Sequence, residues 1–322
     1  MNRTFSAVWL LVFLLQCSVA IACDLCAVFN EIETQRGHTG SLNLGVAHQL
    51  TRSGSDIRPD SQPGLASQNL TTNITQLFGS YRFSRRFRLQ LNVPLISRSF
   101  QRVVLGETDK GSVNGLGDVS LLAQLTPYEF HDEEWTFSSE VFSGVKFATG
   151  DDKRLKEELD ELLSIVTGGS SSPENKVGGD DLALGSGSTD VLFGGTFFLR
   201  YQRAYLSGNF QYSLRNEGSY EYEYGDDIQW GIGPAYYLLL SDSGSIALRM
   251  RLSGEHKGDD KLLGVQLSSS DETALFLGPE LVYSDNSSLT SRLRLELPVK
   301  RDSSEDQVVP ELRFLASIAL SF

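Results

Sequence analysis

The chain has 322 residues, with 28 Lys and Arg against 41 Asp and Glu and a formal net charge of −13. That balance excludes the basic face a nucleic-acid binder needs. A mean hydropathy of −0.17, with no apolar run of about 18 residues beyond the N-terminus, excludes helical membrane spans, and 30 glycines against 9 prolines favour a β-protein.

In chain order, Asn2 and Arg3 open a short positive region, residues 7–15 (AVWLLVFLL) are apolar, and Ala20-Ile21-Ala22 supplies small residues for cleavage. Residues 1–22 read as a secretory signal, too short to be a lasting span. Removing it, with Arg3, leaves 27 basic against 41 acidic residues, or −14. Cys17 leaves with the signal. Residues 23–40 form an N-terminal segment that begins Cys23-Asp24-Leu25-Cys26. In an exported chain the two thiols read first as a disulfide. Lipidation of Cys23 and a redox or metal-binding pair are the alternatives. Ala27 rather than His follows Cys26, so covalent haem attachment has no support, and a second Cys pair for a four-thiolate zinc site is missing.

From residue 41 to the end, the chain alternates with period two. Phe87, Leu89, Leu91, Val93 and Leu95 alternate with Arg88, Gln90 and Asn92. Ile246, Leu248, Met250 and Leu252 alternate with Arg249 and Arg251. Leu293, Leu295 and Leu297 alternate with Arg292, Arg294 and Glu296. Leu312, Phe314, Ala316, Ile318 and Leu320 alternate with Glu311 and Arg313. One face is apolar and the other polar or charged, as in a strand between lipid and a wet interior. Strands are expected near 41–53, 70–84, 86–99, 117–128, 134–147, 187–201, 203–215, 227–240, 243–256, 272–285, 287–300 and 310–322. The segments run longer than the ~5–6 residues usual for soluble strands. Short connections (Ser84-Arg85-Arg86, 129–133, Gln202-Arg203, Ser241-Asp242-Ser243, Asp285-Asn286-Ser287) alternate with long ones (54–69, 100–116, 148–186, 216–226, 257–271, 301–309). The pattern defines an all-β, antiparallel transmembrane barrel of about 12 strands spanning residues 41–322, with short periplasmic turns and long extracellular loops. In the second strand Leu70, Ile74 and Phe78 lie on the opposite parity from Tyr81 and Phe83, which predicts a bulge or a register error there. Tyr81, Phe83, Phe87, Tyr128, Phe130, Trp135, Tyr201, Tyr236, Tyr283 and Phe322 fall near the short turns, and Phe147 and Trp230 toward the long loops, as interfacial girdles would.

The inward parity gathers Arg82, Arg88, Lys146, Arg200, Arg215, Arg249, Arg251, Arg292, Arg294 and Arg313 against Asp118, Glu140, Asp190, Glu255, Glu280, Glu296 and Glu311. Charges inside a barrel must pair or be wet. We take Asp118, Glu140, Asp190, Arg249, Arg251, Arg292, Arg294 and Glu296 as candidate lumen residues. A ladder of Arg and Glu closing the barrel is the competing arrangement.

Residues 151–166 (DDKRLKEELDELLSIV) break the alternation. Leu155, Leu159, Leu162, Leu163 and Val166 recur at helical spacing, giving an amphipathic helix of about four turns, either capping the rim or folding into the mouth. Gly-Asp-Asp occurs at 150–152, 179–181, 225–227 and 258–260, always in a long loop. Such pairs serve turns or hard cations, and no full calcium-loop spacing is present, so no metal site is assigned. Of His38, His48, His131 and His256, only His48 lies on a predicted outer face, and no Ser stands two residues after it. A hydrolase site on the barrel wall therefore has little support.

Gly115-Leu116-Gly117-Asp118-Val119, Gly144-Val145-Lys146 with Thr149-Gly150-Asp151, Gly185-Ser186-Gly187-Ser188-Thr189-Asp190-Val191, Asn92-Val93-Pro94-Leu95 and the terminal Phe322 together resemble the bacterial outer-membrane meta-pathway phenol-degradation family, over roughly residues 75–322. The resemblance implies an outer-membrane channel for small molecules, aromatic compounds among them. The reading is then a non-enzymatic channel or transporter in the outer membrane of a Gram-negative-type cell. It needs no cofactor and no nucleic acid. Its partners are membrane lipids, a small-molecule solute and, through the last strand ending in Phe322, the barrel-assembly machinery. The alternative is a structural or partner-docking barrel whose Cys23 and Cys26 engage a periplasmic redox or metal partner.

Overall fold

The computed structural model describes residues 39–54, 68–168, 175–267, 270–285, 288–303 and 308–322. Cys23, Cys26, His38 and the signal segment lie outside the described residues. In chain order the strands are β1 (Leu42–Gly54), β2 (Asn69–Arg82), β3 (Phe87–Val104), β4 (Glu107–Leu116), β5 (Ser120–His131), β6 (Trp135–Lys146), β7 (Asp190–Tyr201), β8 (Ala204–Leu214), β9 (Tyr222–Glu223), β10 (Asp227–Ser241), β11 (Gly244–Lys257), β12 (Lys261–Leu262), β13 (Val265–Gln266), β14 (Glu272–Asp285), β15 (Leu289–Ser303) and β16 (Val309–Ser321). Between β6 and β7 lie α1 (Lys156–Val166), entered through a 3₁₀ turn at Lys153–Leu155, and α2 (Gly179–Leu182). Among the described residues, no helix is long and apolar enough to cross a membrane.

Twelve antiparallel strands close into a barrel, with β1 paired to both β2 and β16. Closure leaves no unpaired edge facing lipid, the condition a strand protein must meet to span a bilayer. Most large apolar residues of the strands face outward. Leu44, Leu91, Leu121, Val141, Leu248, Met250, Leu281, Leu293 and Leu295 are all exposed on the outer wall. At the short-turn end the aromatic residues form the expected girdle, with Trp135 tilted against Tyr201 at 4.5 Å and Tyr81 edge-on to Phe83 at 4.7 Å between ring centroids.

Three expectations are corrected. First, β2 carries no bulge: it pairs without a break with β1 and with β3. Leu70, Ile74 and Phe78 simply point inward, because the inner wall there is partly apolar. Second, residues 107–116 are not loop but strand. They pair with the upper half of β3, and β5 pairs with its lower half after a one-residue slip at Gly117-Asp118-Val119. Third, Glu311 does not face the lumen. The register of β1 against β16 passes from Arg52↔Leu312 to Ser53↔Pro310, so Glu311 is the extra residue of a bulge. It turns outward, 3.6 Å from the exposed Arg52.

The amphipathic helix is shorter than expected. Leu155 is buried, and Leu159 and Leu162 pack with Tyr222 and Leu262 of the small sheet formed by β9, β12 and β13 and with Tyr224 just after β9. Leu163 and Val166 stay exposed. The stripe thus docks on the other extracellular loops, so α1 caps the mouth.

Candidate functional site

The inner wall is charged in layers, and all eight candidate lumen residues lie on it, each buried. On the wall built by β11, β14 and β15, Glu280 pairs with Arg249 and lies 3.0 Å from Arg294. Glu296 lies 3.7 Å from Arg251 and 3.8 Å from Arg294, and accepts a hydrogen bond from Ser253 at 2.8 Å. Arg292 is buried on the same face of β15. Opposite, Arg88 donates to Glu140 at 2.7 Å, while Gln124, Gln90, Asn92 and Ser120 form a hydrogen-bonded row. This interleaving answers the cost of burying charge. Arg313 pairs with Glu255 and stacks over Phe276, 4.2 Å from the ring centroid.

Above this layer, three short motifs distant in sequence meet at one amine. Lys146 Nζ lies 2.7 Å from Asp118 and 2.8 Å from Asp190. Arg215 extends the chain, 2.8 Å from both Asp190 and Asp227. Asp118 also accepts the backbone N–H groups of Thr149, Gly150 and Ser186 at 3.1, 2.9 and 2.9 Å. Gly150 and Gly185 are required by the close approach of the two segments. A Cβ on Gly150 would stand 2.6 Å from the Cα of Gly185. Gly187 has φ +67°, a conformation that favours glycine. The glycine-rich motifs therefore fasten both ends of the β6–β7 loop to the top of the wall.

Held there, the middle of the loop turns into the barrel. Val177 and Leu182 pack with Leu70 and Phe100 of the inner wall and with Val308, and Leu184 packs with Ile74 and Ile96. The inward apolar parity of β2, read as a bulge from the sequence, is the seat of this insertion. Arg102 holds the segment, donating to the Val177 carbonyl at 3.2 Å while paired with Asp109 and Glu157 at 3.0 Å each. On α2, Asp180 and Asp181 are enclosed by protein, with part of their surface facing a small cavity. Burial, and then the neighbouring Asp180 charge, push Asp181 up to about 7. The same two causes push Glu158, which accepts the Gly179 N–H at 2.6 Å, up to about 8. Burial also raises Asp180, against the pull of Lys257.

Sequence reasoning missed Arg98, Arg102 and Lys257, and read Asp180, Asp181 and Asp227 only as turn or cation-binding residues of the Gly-Asp-Asp pairs. Arg98 and Arg102 continue the inward parity of Arg88, Gln90 and Asn92, so extending the third strand past residue 99 would have found them. The Gly-Asp-Asp carboxylates bind protein donors: Asp226 accepts from Tyr212 at 2.5 Å, and Asp260 from Tyr222 at 2.6 Å and from Lys257 at 2.8 Å. Among the described residues, no acidic, His or Cys cluster is arranged to hold a metal. His48 meets Thr75 at 2.9 Å and His131 meets Thr136 at 2.8 Å.

The fold is that of an outer-membrane β-barrel with a loop inserted into its lumen. No protein-family model matches the sequence, and a search of the curated proteins finds no match. Among solved structures, an outer membrane channel from Pseudomonas putida F1 is similar at 14% identity and a TM-score of 0.53, covering 91% of this chain and 100% of that one. The β domain of the Bordetella autotransporter BrkA shows 11% identity and a TM-score of 0.44, covering 88% of this chain and 100% of that one. The P. putida toluene transporter TodX shows 12% identity and a TM-score of 0.43, covering 89% and 90%. At these identities the likeness to the P. putida F1 channel establishes the fold.

Proposed function

We propose that the protein is a non-enzymatic outer-membrane channel that passes small molecules through its charged lumen, with the β6–β7 loop as the gate. The observation that carries this reading is the loop segment 175–186, seated on an apolar stripe of the inner wall rather than integrated into the sheet. A barrel needed only as a scaffold has no use for a wall that is apolar where a loop docks and charged elsewhere. Asp118, Lys146, Asp190 and Arg215 are the hinge posts. Glu140, Arg249, Arg251, Arg292, Arg294 and Glu296 line the path below. The similar outer membrane channel from P. putida F1 supports the reading, as does the family resemblance of the three motifs that meet at Lys146. Export through residues 1–22, and assembly through β16 with the exposed Phe322 at its end, complete the proposal.

Liposome swelling tests it. Proteoliposomes should swell in small aromatic and anionic solutes faster than protein-free ones. Equal rates for every solute, from protein shown to be folded, would refute the channel reading.

A further inference from the structure

A polar cavity of about 50 Å³ lies between α2 and the inner wall, lined by Arg98, Lys257, Asp180, Asp181, Thr72 and Tyr224 among others. Arg98 is 3% exposed, and its Nε finds no hydrogen-bond partner among the described residues. A buried guanidinium nitrogen without an acceptor is costly. The carboxyl groups of Asp180 and Asp181 face it across the cavity, held above their ordinary range by burial. Asp181 accepts the Gly178 N–H at 3.2 Å. Beside the cavity, Leu70 and Phe100 form an apolar surface now covered by Val177 and Leu182. The 177–182 segment thus presents carboxyl groups next to apolar carbon, and the wall presents a guanidinium next to apolar carbon.

We propose that Arg98 with the Leu70–Phe100 surface is a binding site for a small amphipathic organic carboxylate, for which the 177–182 segment is a tethered stand-in. The proposal deepens the channel reading by naming its solute class. Water occupies about 30 Å³, so the cavity as it stands admits a carboxylate head group and little more. The apolar body of the solute takes the place of Leu182 and Val177. Binding is therefore coupled to displacement of α2, and the solute stabilises the open conformation by its differential affinity for it. A planar fork matched to a carboxylate is the property that selects Arg here over Lys.

The test uses the refolded full chain in detergent, with benzoate and its neutral isostere benzamide as probes in calorimetry, and bilayer currents from the same preparation. Benzoate should bind tighter than benzamide by about tenfold, the effect of one charge-assisted hydrogen bond. Arg98→Gln should erase that difference in protein that still runs as a folded barrel. If that variant fails to fold, Arg98→Lys replaces it, with the same loss expected. Leu182→Ala trims the side chain that covers Leu70 and Phe100 and should tighten benzoate binding, a gain that misfolding cannot produce. Equal binding of the two probes overturns the proposal, as does a benzoate preference that survives in the folded Arg98 variant or benzoate binding that weakens in Leu182→Ala. Benzoate binding without current leaves the site standing and removes the channel reading. Current without benzoate preference does the reverse.

Discussion

Ser186 gives both its backbone N–H and its hydroxyl to the same oxygen of Asp118, each at 2.9 Å, across 68 residues of sequence. That paired contact, with Lys146 on the same oxygen, is where the returning arm of the β6–β7 loop is pinned to the wall. Asp118→Asn removes the charge that Lys146 shares between Asp118 and Asp190. Breaking a buried pair costs about 3–5 kcal/mol, and the retained Asp190 puts the loss at the lower end. The temperature at which the folded band converts to the unfolded one on gels should fall, and channel currents should become noisier. An unchanged conversion temperature would contradict the role of this contact.

The outward and inward parities make a paired prediction on one strand. Leu295 is 42% exposed on the lipid face, and Glu296 is 1% exposed inside. Leu295→Arg places a charge in lipid at ~2–4 kcal/mol near the midplane and should impair assembly. Glu296→Gln keeps its shape and the Ser253 contact, so it should still assemble with a modest stability loss. Heat-modifiability of the two variants checks this, and equal effects would break the parity assignment.

The inserted loop should respond to pH. Glu158 faces Asp180 and Asp181 as well as Glu161 of its own helix. Asp180 and Asp181 face Arg98 of β3 and Lys257 of β11, and Asp180 also faces Asp260. Glu272 and Arg313 complete the cavity wall. All three carboxyls titrate above their ordinary range when the loop is seated, so the seated state favours their protonated forms. Seating is strongest below the usual carboxylate range and weakens as pH rises through about 7 and about 8. Open probability should climb from acidic to alkaline pH, and Glu158→Gln with Asp181→Asn should flatten that climb. A loop that opens on acidification would reverse the sign and defeat the account.

Strand positions were legible because a barrel wall demands strict alternation, and the twelve expected segments match the barrel strands to within a few residues. Legibility failed where the alternation served something other than lipid. Leu70, Ile74 and Phe78 face a docked loop instead of the membrane, and period two alone does not say which apolar face is which. Glu311 was misplaced because a single bulge reverses parity for one residue without any sign in composition. The Lys146 knot was half legible. The glycine motifs marked strand entries, but their convergence depends on the spatial order of β5, β6 and β7. Asp180 and Asp181 read as turn residues because the helix that carries them into the lumen is only 4 residues long.

The wall of β11, β14 and β15 predicts the selectivity of the proposed channel. Arg249, Arg251, Arg292 and Arg294 there face Glu280 and Glu296, an excess of positive charge of the kind anion-preferring pores use. Acidic extracellular loops oppose it at the mouth, but salt screens them within about 8 Å at physiological ionic strength. Reversal potentials should show a weak anion preference at high salt that fades as salt falls. Arg292→Ala with Arg294→Ala should reduce it. Cation selectivity at high salt would count against the assignment.

The claim that the β6–β7 loop gates an otherwise passable barrel is tested most directly by single-channel recording of two proteins side by side. One is the full chain; the other has residues 175–184 replaced by a Gly-Ser linker of equal length, leaving the Gly185-Ser186 anchor in place. The account predicts brief, small openings from the first and a stable, larger conductance from the second. Silence from both, with both shown to be folded, would mean that the Arg–Glu ladder itself closes the lumen.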